Sequence, residues 1–311
     1  MQALGIRSWR QVRRPTTYHK RRQNRWGYLF LTPWLAGLLF ITIGPMIASA
    51  YLSLTDYDIL SAPKWIGLDN YIHMFTVDPR FPTAIRVTFV YVWVSVPLVL
   101  VFALFLAIIL NEGIRGLTLY RAIFYLPSLL GANVAIAILW RQVFGGQGLV
   151  NQFLGGVGID GPNWIGHPDF SIYSLIALHV WTFGASMVIF LAGLRQIPKD
   201  LYDAASVDGA GTLRQFRSIT LPLLTPVIFF NLVLNIISSF QAFTPAFIVS
   251  RGTGGPVDST LFYSLYLYIK GFTELNMGYA AAMAWFLLVI IAIQTGFLFW
   301  LSRKWVYYSD Q

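Results

Sequence analysis

Six long apolar runs alternate with shorter polar segments along the 311-residue chain. Most approach or exceed the roughly 20 residues that an α-helix needs to cross the hydrocarbon core of a bilayer. Only 11% of the residues are charged, against about 25% in soluble domains. The pattern therefore predicts an all-α membrane protein with six transmembrane helices. The spans are expected at about Tyr28–Tyr51, Ile85–Leu110, Ala122–Trp140, Ser171–Leu194, Leu223–Ser250 and Tyr279–Ser302.

A further apolar stretch, Leu261–Ile269, is too short to cross a bilayer. Lys270 follows it directly. Lys270 ends the apolar stretch, and the sequence predicts an interfacial or re-entrant helix here.

Basic residues are distributed unevenly between the two sides of the predicted spans. Eight of the 22 lie in residues 1–27, and sixteen fall on the side that carries the N-terminus. Cytoplasmic segments of membrane proteins are enriched in Lys and Arg, so both termini are expected in the cytoplasm. This gives a basic N-terminal tail (1–27), a transmembrane domain (28–302) and a C-terminal tail (303–311). The tail's charge is explained by topology, so no nucleic-acid partner is expected.

Several function classes are disfavoured by what the sequence lacks. There is no cysteine, the four histidines are scattered, and no catalytic constellation is apparent, so we expect no metal site and no catalytic residue. The predicted spans contain no Asp or Glu, which disfavours an ion-coupled carrier. The dipeptide Gly-Lys is missing, so the chain has no P-loop for ATP. Active transport would need an external motor, while a passive facilitator stays possible.

The longest predicted cytoplasmic segment is Arg195–Pro222, between spans four and five. Pro198 can open a helix, and Asp200 and Asp203 suit its N-terminal turns. Gly209 and Gly211 break that helix. A second short helix is expected from Thr212, as N-cap, through Ser218, after which Pro222 opens span five. The segment is a predicted helix–turn–helix at the membrane surface.

This segment matches the motif E-A-A-x3-G-x9-I-x-L-P at every spacing, with Asp in place of the usual Glu. The matching residues are Asp203, Ala204, Ala205, Gly209, Ile219, Leu221 and Pro222. The chain thus resembles the permease subunits of ABC importers and is expected to have the type I importer permease fold. The resemblance implies that this segment couples the chain to a separate ATPase. Asp203 would meet a basic residue of the ATPase, the alanines would allow close approach, and Gly209 would permit the turn.

Four other segments are similar to the carbohydrate-uptake branch of that family, of the maltose and glycerol-3-phosphate type. They are Trp65–Tyr71, Tyr120–Pro127, Gly148–Leu154 and Tyr279–Ala282. The resemblance is to the first permease of a pair. It implies a bacterial or archaeal cytoplasmic membrane, a second related permease in a heterodimer, two ATP-binding subunits, an external solute-binding protein and a sugar substrate. The chain itself would bind no cofactor, with ATP and Mg²⁺ used by the ATPase. A glycerophosphodiester or polyol substrate, or a secondary carrier, is the alternative.

Polar residues on spans four and five are the candidates for the substrate path. On span five, Asn231, Asn235, Ser238, Ser239 and Gln241 fall within about 160° of a helical wheel, with Phe240 and Phe243 nearby. Hydrogen-bonding groups beside aromatic rings suit a sugar, although small polar residues also simply pack helices together. Span four adds Thr182 and Ser186, with Trp181 beside them, while a packing role is favoured for His179. The expected path residues are Asn235, Ser238, Ser239, Gln241, Phe243, Trp181 and Thr182.

Overall fold

The structure is a computed structural model that describes residues 28–112, 116–130 and 133–307. The predicted basic tail, Arg115 and residues 308–311 of the C-terminal tail lie outside these ranges. The chain divides into two units, Met1–Tyr51 and Leu52–Gln311. Helix α1 (Tyr28–Leu52) begins in the first unit. It contains a π-helical segment at Leu38–Ile43.

The second unit opens with a small antiparallel ribbon in which Thr55 lies opposite Trp65. All its other elements are helical. The strands are β1 (Thr55–Asp56) and β2 (Lys64–Trp65), and the helices of its first half are α2 (Asp69–Thr76), α3 (Phe81–Asn111), α4 (Leu117–Leu130), α5 (Val134–Phe144), α6 (Leu149–Gly156), α7 (Pro168–Trp181) and α8 (Gly184–Leu194). Those of its second half are α9 (Lys199–Val207), α10 (Thr212–Gln215), α11 (Leu221–Phe240), α12 (Thr244–Ser250), α13 (Tyr263–Tyr268) and α14 (Met277–Ser302). A 3₁₀ turn occupies Pro256–Asp258.

Within the described residues, four helices are long and apolar enough to cross a membrane, at predicted spans one, two, five and six. Predicted spans three and four are bent pairs of helices, which gives six spans if each pair counts as one. The expectation of single helices for spans three and four was wrong. In span three, Asn133 starts a new helix because its Oδ1 accepts the Ala135 N–H at 3.2 Å, and the axes on the two sides differ by 95°. In span four, the Thr182 hydroxyl donates to the His179 carbonyl at 2.7 Å and α7 ends, with α8 turning by 42°.

Span five also differs from the prediction at both ends. Pro222 does not open it, because the helix runs from Thr212 through a π-helical segment (Phe216–Thr220) directly into α11. At the end of that segment the Leu221 N–H donates to the Phe216 carbonyl, five residues earlier. Pro222 therefore follows a position where the hydrogen-bond register has already shifted from that of an α-helix. The predicted continuous helix to Ser250 is interrupted at residues 241–243, where Pro245 lacks the N–H that would continue the ladder.

The predicted helix within Leu261–Ile269 is present as α13 (Tyr263–Tyr268). A π-helical segment (Ile269–Thr273) carries the helix on. Lys270 is accommodated because its Nζ pairs with Glu274 at 2.8 Å. The helix is buried rather than lying on the surface. The backbone N–H of Tyr263 donates to the Thr88 hydroxyl of α3 at 2.8 Å, and the Tyr263 hydroxyl donates to the Met283 carbonyl of α14, also at 2.8 Å.

Helix α3 is the centre of the second unit and packs against α7, α8, α11 and α13. Small residues on its buried face, such as Ala84, Ala103 and Ala107, are fully inaccessible. Helices in a membrane associate through close backbone approach rather than through a hydrophobic effect, and small residues permit that approach. The core of the unit is therefore built around one unbroken span.

A buried carboxylate, Asp78, ties four segments together at the predicted outer end of the core. It accepts hydrogen bonds from the hydroxyls of Tyr266 (2.6 and 2.7 Å) and Tyr279 (2.6 Å). The backbone N–H of Arg80 also donates to it at 3.0 Å, and the Arg80 side chain pairs with Asp258 at 2.6 Å. We call these residues, together with Lys270, the Asp78 cluster. It joins the start of α3 to α13, α14 and the loop between α12 and α13.

Burial alone raises the pKa of the Asp78 carboxyl, but the two tyrosine hydroxyls, the Arg80 N–H and the charge of Lys270 outweigh it. The pKa therefore lies below the ordinary value of 3.8. A carboxyl whose pKa is lower in the folded than in the unfolded state stabilises the fold above its unfolded value. That contribution is lost as the pH falls through the folded pKa.

We predict that Asp78→Asn destabilises the protein by about 3 kcal/mol, because a neutral amide cannot replace charge-assisted bonds to two buried hydroxyls. Thermal unfolding in detergent will show this as a lower melting temperature, and the loss of stability on acidification below about pH 4 will be smaller than in wild type. Asp58→Asn is the control, since Asp58 is exposed and accepts bonds only from its own turn. Equal melting temperatures for the two variants would contradict a central role for Asp78.

Candidate functional site

A cavity of about 460 Å³ lies in the core of the second unit, between α3, α4, α7, α8, α11 and the start of α12. Six of the seven residues predicted for the substrate path line it. These are Thr182, Asn235, Ser238, Ser239, Gln241 and Phe243. We call this space the central cavity.

The central cavity lies where the spans are broken. Thr182 stands at the bend of span four, and residues 241–243 form the interruption of span five. Ser128, from the last turn of α4, approaches from span three. Irregular backbone at membrane depth is tolerated where it lines a polar cavity, because side chains and ligands there can pair with the freed groups.

Hydrogen bonds fix part of the polar wall. The Asn235 side-chain amide donates to the Ser186 hydroxyl at 3.0 Å and to the Asn231 carbonyl at 2.9 Å. The Ser238 hydroxyl donates to the Asn235 carbonyl at 3.0 Å. The amide of Asn235 is thereby held in a defined orientation at the cavity wall.

Two polar atoms of the cavity wall, the Ser239 Oγ and the His179 Nδ1, are buried without a hydrogen-bond partner among the described residues. An unpaired buried polar group costs about 1–3 kcal/mol. Both residues border the cavity. Ser239 and His179 are thus polar residues of the cavity wall whose buried atoms lack a partner within the described part of the chain.

Aromatic rings form another part of the wall. Tyr91 stacks on His179 with ring centroids 5.6 Å apart and an interplanar angle of 26°. Phe243 lies against Tyr268 at 5.2 Å. Ring faces next to amide and hydroxyl groups offer both kinds of contact that a sugar presents, its C–H surface and its hydroxyls.

Four of the residues considered from the sequence are not part of the cavity lining. One of them, Ser186, accepts the hydrogen bond of the Asn235 amide. Trp181 is not part of the cavity lining; its ring packs 6.1 Å from that of Trp140. Asn231 lies one helical turn before Asn235 on α11 and is buried, and its side-chain amide donates to the Val227 carbonyl at 3.1 Å. Phe240 packs against Phe89.

Sequence reasoning missed several lining residues and favoured a packing role for His179, which lines the cavity. Tyr91 and Ser128 are isolated polar residues within apolar runs of the sequence, and this isolation could have indicated that they line a polar cavity. Thr244 and Pro245 follow the interruption of span five, and Pro245 was the visible sign of that interruption.

A larger cleft of about 520 Å³ lies between the predicted outer loops and includes Arg141 and Arg251. No aromatic ring lines it, and it shares no residue with the central cavity. It therefore fits a sugar ring less well than the central cavity does.

The second candidate site is the segment from α9 to α10, which we call the coupling knob (residues 199–215). Helix α9 ends in a Schellman motif: the Gly209 N–H donates to the Ser206 carbonyl at 3.0 Å, and the Ala210 N–H donates to the Ala205 carbonyl at 2.9 Å. Gly209 has φ +75°, which a residue with a Cβ adopts only with strain. The glycine of the sequence motif is thus explained by the turn that it makes.

The motif residues of the coupling loop differ in their exposure. Asp203 and Ala204 are exposed, and so is the neighbouring Val207, at 89%. Thr212 is the first residue of α10 rather than its N-cap, because Gly211 takes the capping position. Ile219 packs against the core, whereas Leu221 and Pro222 stand at the start of α11. These three link the knob to span five and do not form its exposed tip.

The comparisons with known proteins agree with this architecture. Residues 79–307 match the family described as binding-protein-dependent transport system inner membrane component. The chain is 52% identical over 292 residues to the probable ABC transporter permease protein YesP of Bacillus subtilis, covering 94% of each. It is 32% identical over 284 residues to the lactose transport system permease protein LacF of Rhizobium radiobacter, covering 89% of this chain and 94% of that one.

Among solved structures, one similar chain comes from a bacterial alginate ABC transporter in complex with an alginate pentasaccharide-bound periplasmic protein. The TM-score is 0.80 with 23% identity, over 93% of this chain and 97% of that one. At this identity the likeness shows the fold. The chain is a membrane-spanning permease with the fold of type I ABC importers. It belongs to the family of binding-protein-dependent transport system inner membrane components.

Proposed function

We propose that the chain forms the translocation path for a sugar or oligosaccharide, paired with a second related permease and driven by two ATP-binding subunits. The observation that carries the substrate class is the central cavity, whose lining combines amide and hydroxyl side chains with aromatic residues. The name of the relative LacF, a lactose transport system permease, agrees with that class. An external solute-binding protein would deliver the substrate, as the family description implies.

The coupling knob supports the proposed ATPase partner. Its exposed face combines the Asp203 carboxylate, the small Ala204 and the apolar Val207. An exposed apolar residue next to a charge and a small side chain suits insertion into a groove with a basic rim. ATP and Mg²⁺ would then be used entirely by the partner, and this chain would transport without catalysing a reaction.

We predict that Ser239→Ala lowers ATP-driven uptake by about five-fold, the equivalent of one lost hydrogen bond to the substrate. The variant should fold as well as wild type, because the hydroxyl that it removes has no partner among the described residues. The measurement is uptake into proteoliposomes that contain the complete importer and its solute-binding protein.

Ser95→Ala is the matched control for this prediction. Ser95 also carries a buried hydroxyl without a described partner, but it does not line the central cavity. An equal loss of uptake in both variants would contradict the proposed site. Uptake driven by an ion gradient without the ATPase would instead favour a secondary carrier.

We predict that Gly209→Val uncouples the chain from its ATPase while leaving it in the membrane. Nothing lies within 4 Å of the added Cβ, so the defect comes from the left-handed backbone, which costs about 1–2 kcal/mol for a residue with a side chain. The strained turn would displace the exposed residues of α9 from their binding position. Substrate-stimulated ATP hydrolysis and uptake should both fall.

Gly211→Val provides the control at the same knob. Gly211 also has open space around it, but its φ is −69°, which valine adopts without strain. Normal uptake by the Gly209 variant would contradict a role of this turn in coupling to the ATPase. A loss of both variants from the membrane would show that the knob serves folding instead.

A further inference from the structure

A pocket of about 380 Å³ lies on the second unit between α4 and α8, towards the predicted cytoplasmic side. The two helices are in close contact beside it, because a Cβ at Gly184 would collide with the backbone of Phe124 and Tyr125. The pocket is lined by Arg121, Ala122, Tyr125, Ala185, Val188 and Ile189. We call it the inner pocket.

Arg121 gives the inner pocket a cationic end. Its Nε is buried and has no hydrogen-bond partner among the described residues. None of the ion pairs found in the described ranges includes it. Arg195, at the end of α8, is near enough to act on it electrostatically. Two like charges with an unpaired donor between helices favour a bound anion.

The rest of the inner pocket is apolar. Ala122, Val188 and Ile189 form its wall, and the ring of Tyr125 extends it along the helices. On the outer surface of α4, Ile123 and Leu126 are 53% and 52% exposed. The pocket therefore has a cation at its cytoplasmic end and hydrocarbon side chains towards the membrane interior, which is the polarity of a phospholipid.

The substrate path is the competing explanation, because Ala185 lines both the inner pocket and the central cavity. Apart from Arg121 and the Tyr125 hydroxyl, however, the described residues that line the inner pocket have no side-chain hydrogen-bonding group. A sugar passing there would leave most of its hydroxyls unpaired, at a cost for each. An acyl chain has no such requirement, so the lining favours a lipid.

We propose that the inner pocket binds an anionic phospholipid, with the phosphodiester at Arg121 and an acyl chain along Ala122, Val188 and Ile189. Basic pockets between transmembrane helices on the cytoplasmic side are known to hold acidic lipid headgroups. The proposal does not depend on which solute the importer carries.

The test is native mass spectrometry of the complete importer, extracted from membranes that contain phosphatidylglycerol and phosphatidylcholine. Wild type should retain phosphatidylglycerol, and Arg121→Gln should retain about five-fold less, as expected for one basic contact. Val188→Trp keeps both arginines but fills the apolar part, and it should lose the lipid as well. Arg303→Gln, which removes a charge from the inner end of α14, is the control and should retain it.

Three outcomes would overturn the proposal. Equal retention by wild type and Arg121→Gln would show that Arg121 does not hold the lipid. If excess inorganic phosphate competes as well as short-chain phosphatidylglycerol, the pocket takes a free anion. If Arg121→Gln instead releases the second permease while lipid retention is unchanged, the pocket belongs to the interface between the subunits.

Discussion

Inside a bilayer, every backbone N–H and C=O group has to find its partner within the protein, because the hydrocarbon core offers none. The span α14 meets this constraint along its length, and α3 does so except at Pro97, which has no N–H to donate. The interruptions at Thr182 and at residues 241–243 do not meet it alone. Both border the central cavity, where hydroxyls and amides are concentrated. The place where irregular backbone is tolerated is therefore also the place where a polar solute can bind.

The same constraint explains how far the sequence predicts this fold. Hydropathy identified the six spans because a crossing helix needs a long apolar run, and that requirement is local. It did not reveal the breaks in spans three, four and five, since an apolar run has the same composition whether straight or bent. Thr182 and Pro245 show why. At Thr182 a helix ends where the hydroxyl donates to the His179 carbonyl, and at Pro245 a helix begins because proline has no N–H to continue the preceding one. A sliding average of hydropathy registers neither effect.

The two candidate sites differ in how well the sequence predicts them. The polar stripe on span five has a helical period, so the sequence groups Asn235, Ser238 and Ser239, and the structure places all three at the central cavity. Trp181 does not line the cavity, because its ring packs against that of Trp140. The Asp78 cluster was not predicted at all. Its tyrosines are 188 and 201 positions away along the chain, and no local pattern reports such contacts.

The coupling knob and the central cavity are joined by helices that run from one to the other. Helix α8, which borders the cavity at Ala185, ends only a few residues before α9. On the other side of the knob, the helix from Thr212 to Phe240 continues without a break for roughly 40 Å and ends at the cavity. A displacement of the knob therefore moves two walls of the cavity together. In the proposed function, closure of the ATPase subunits would reach the substrate through these helices, and the non-helical break at residues 241–243 would absorb the change in their direction.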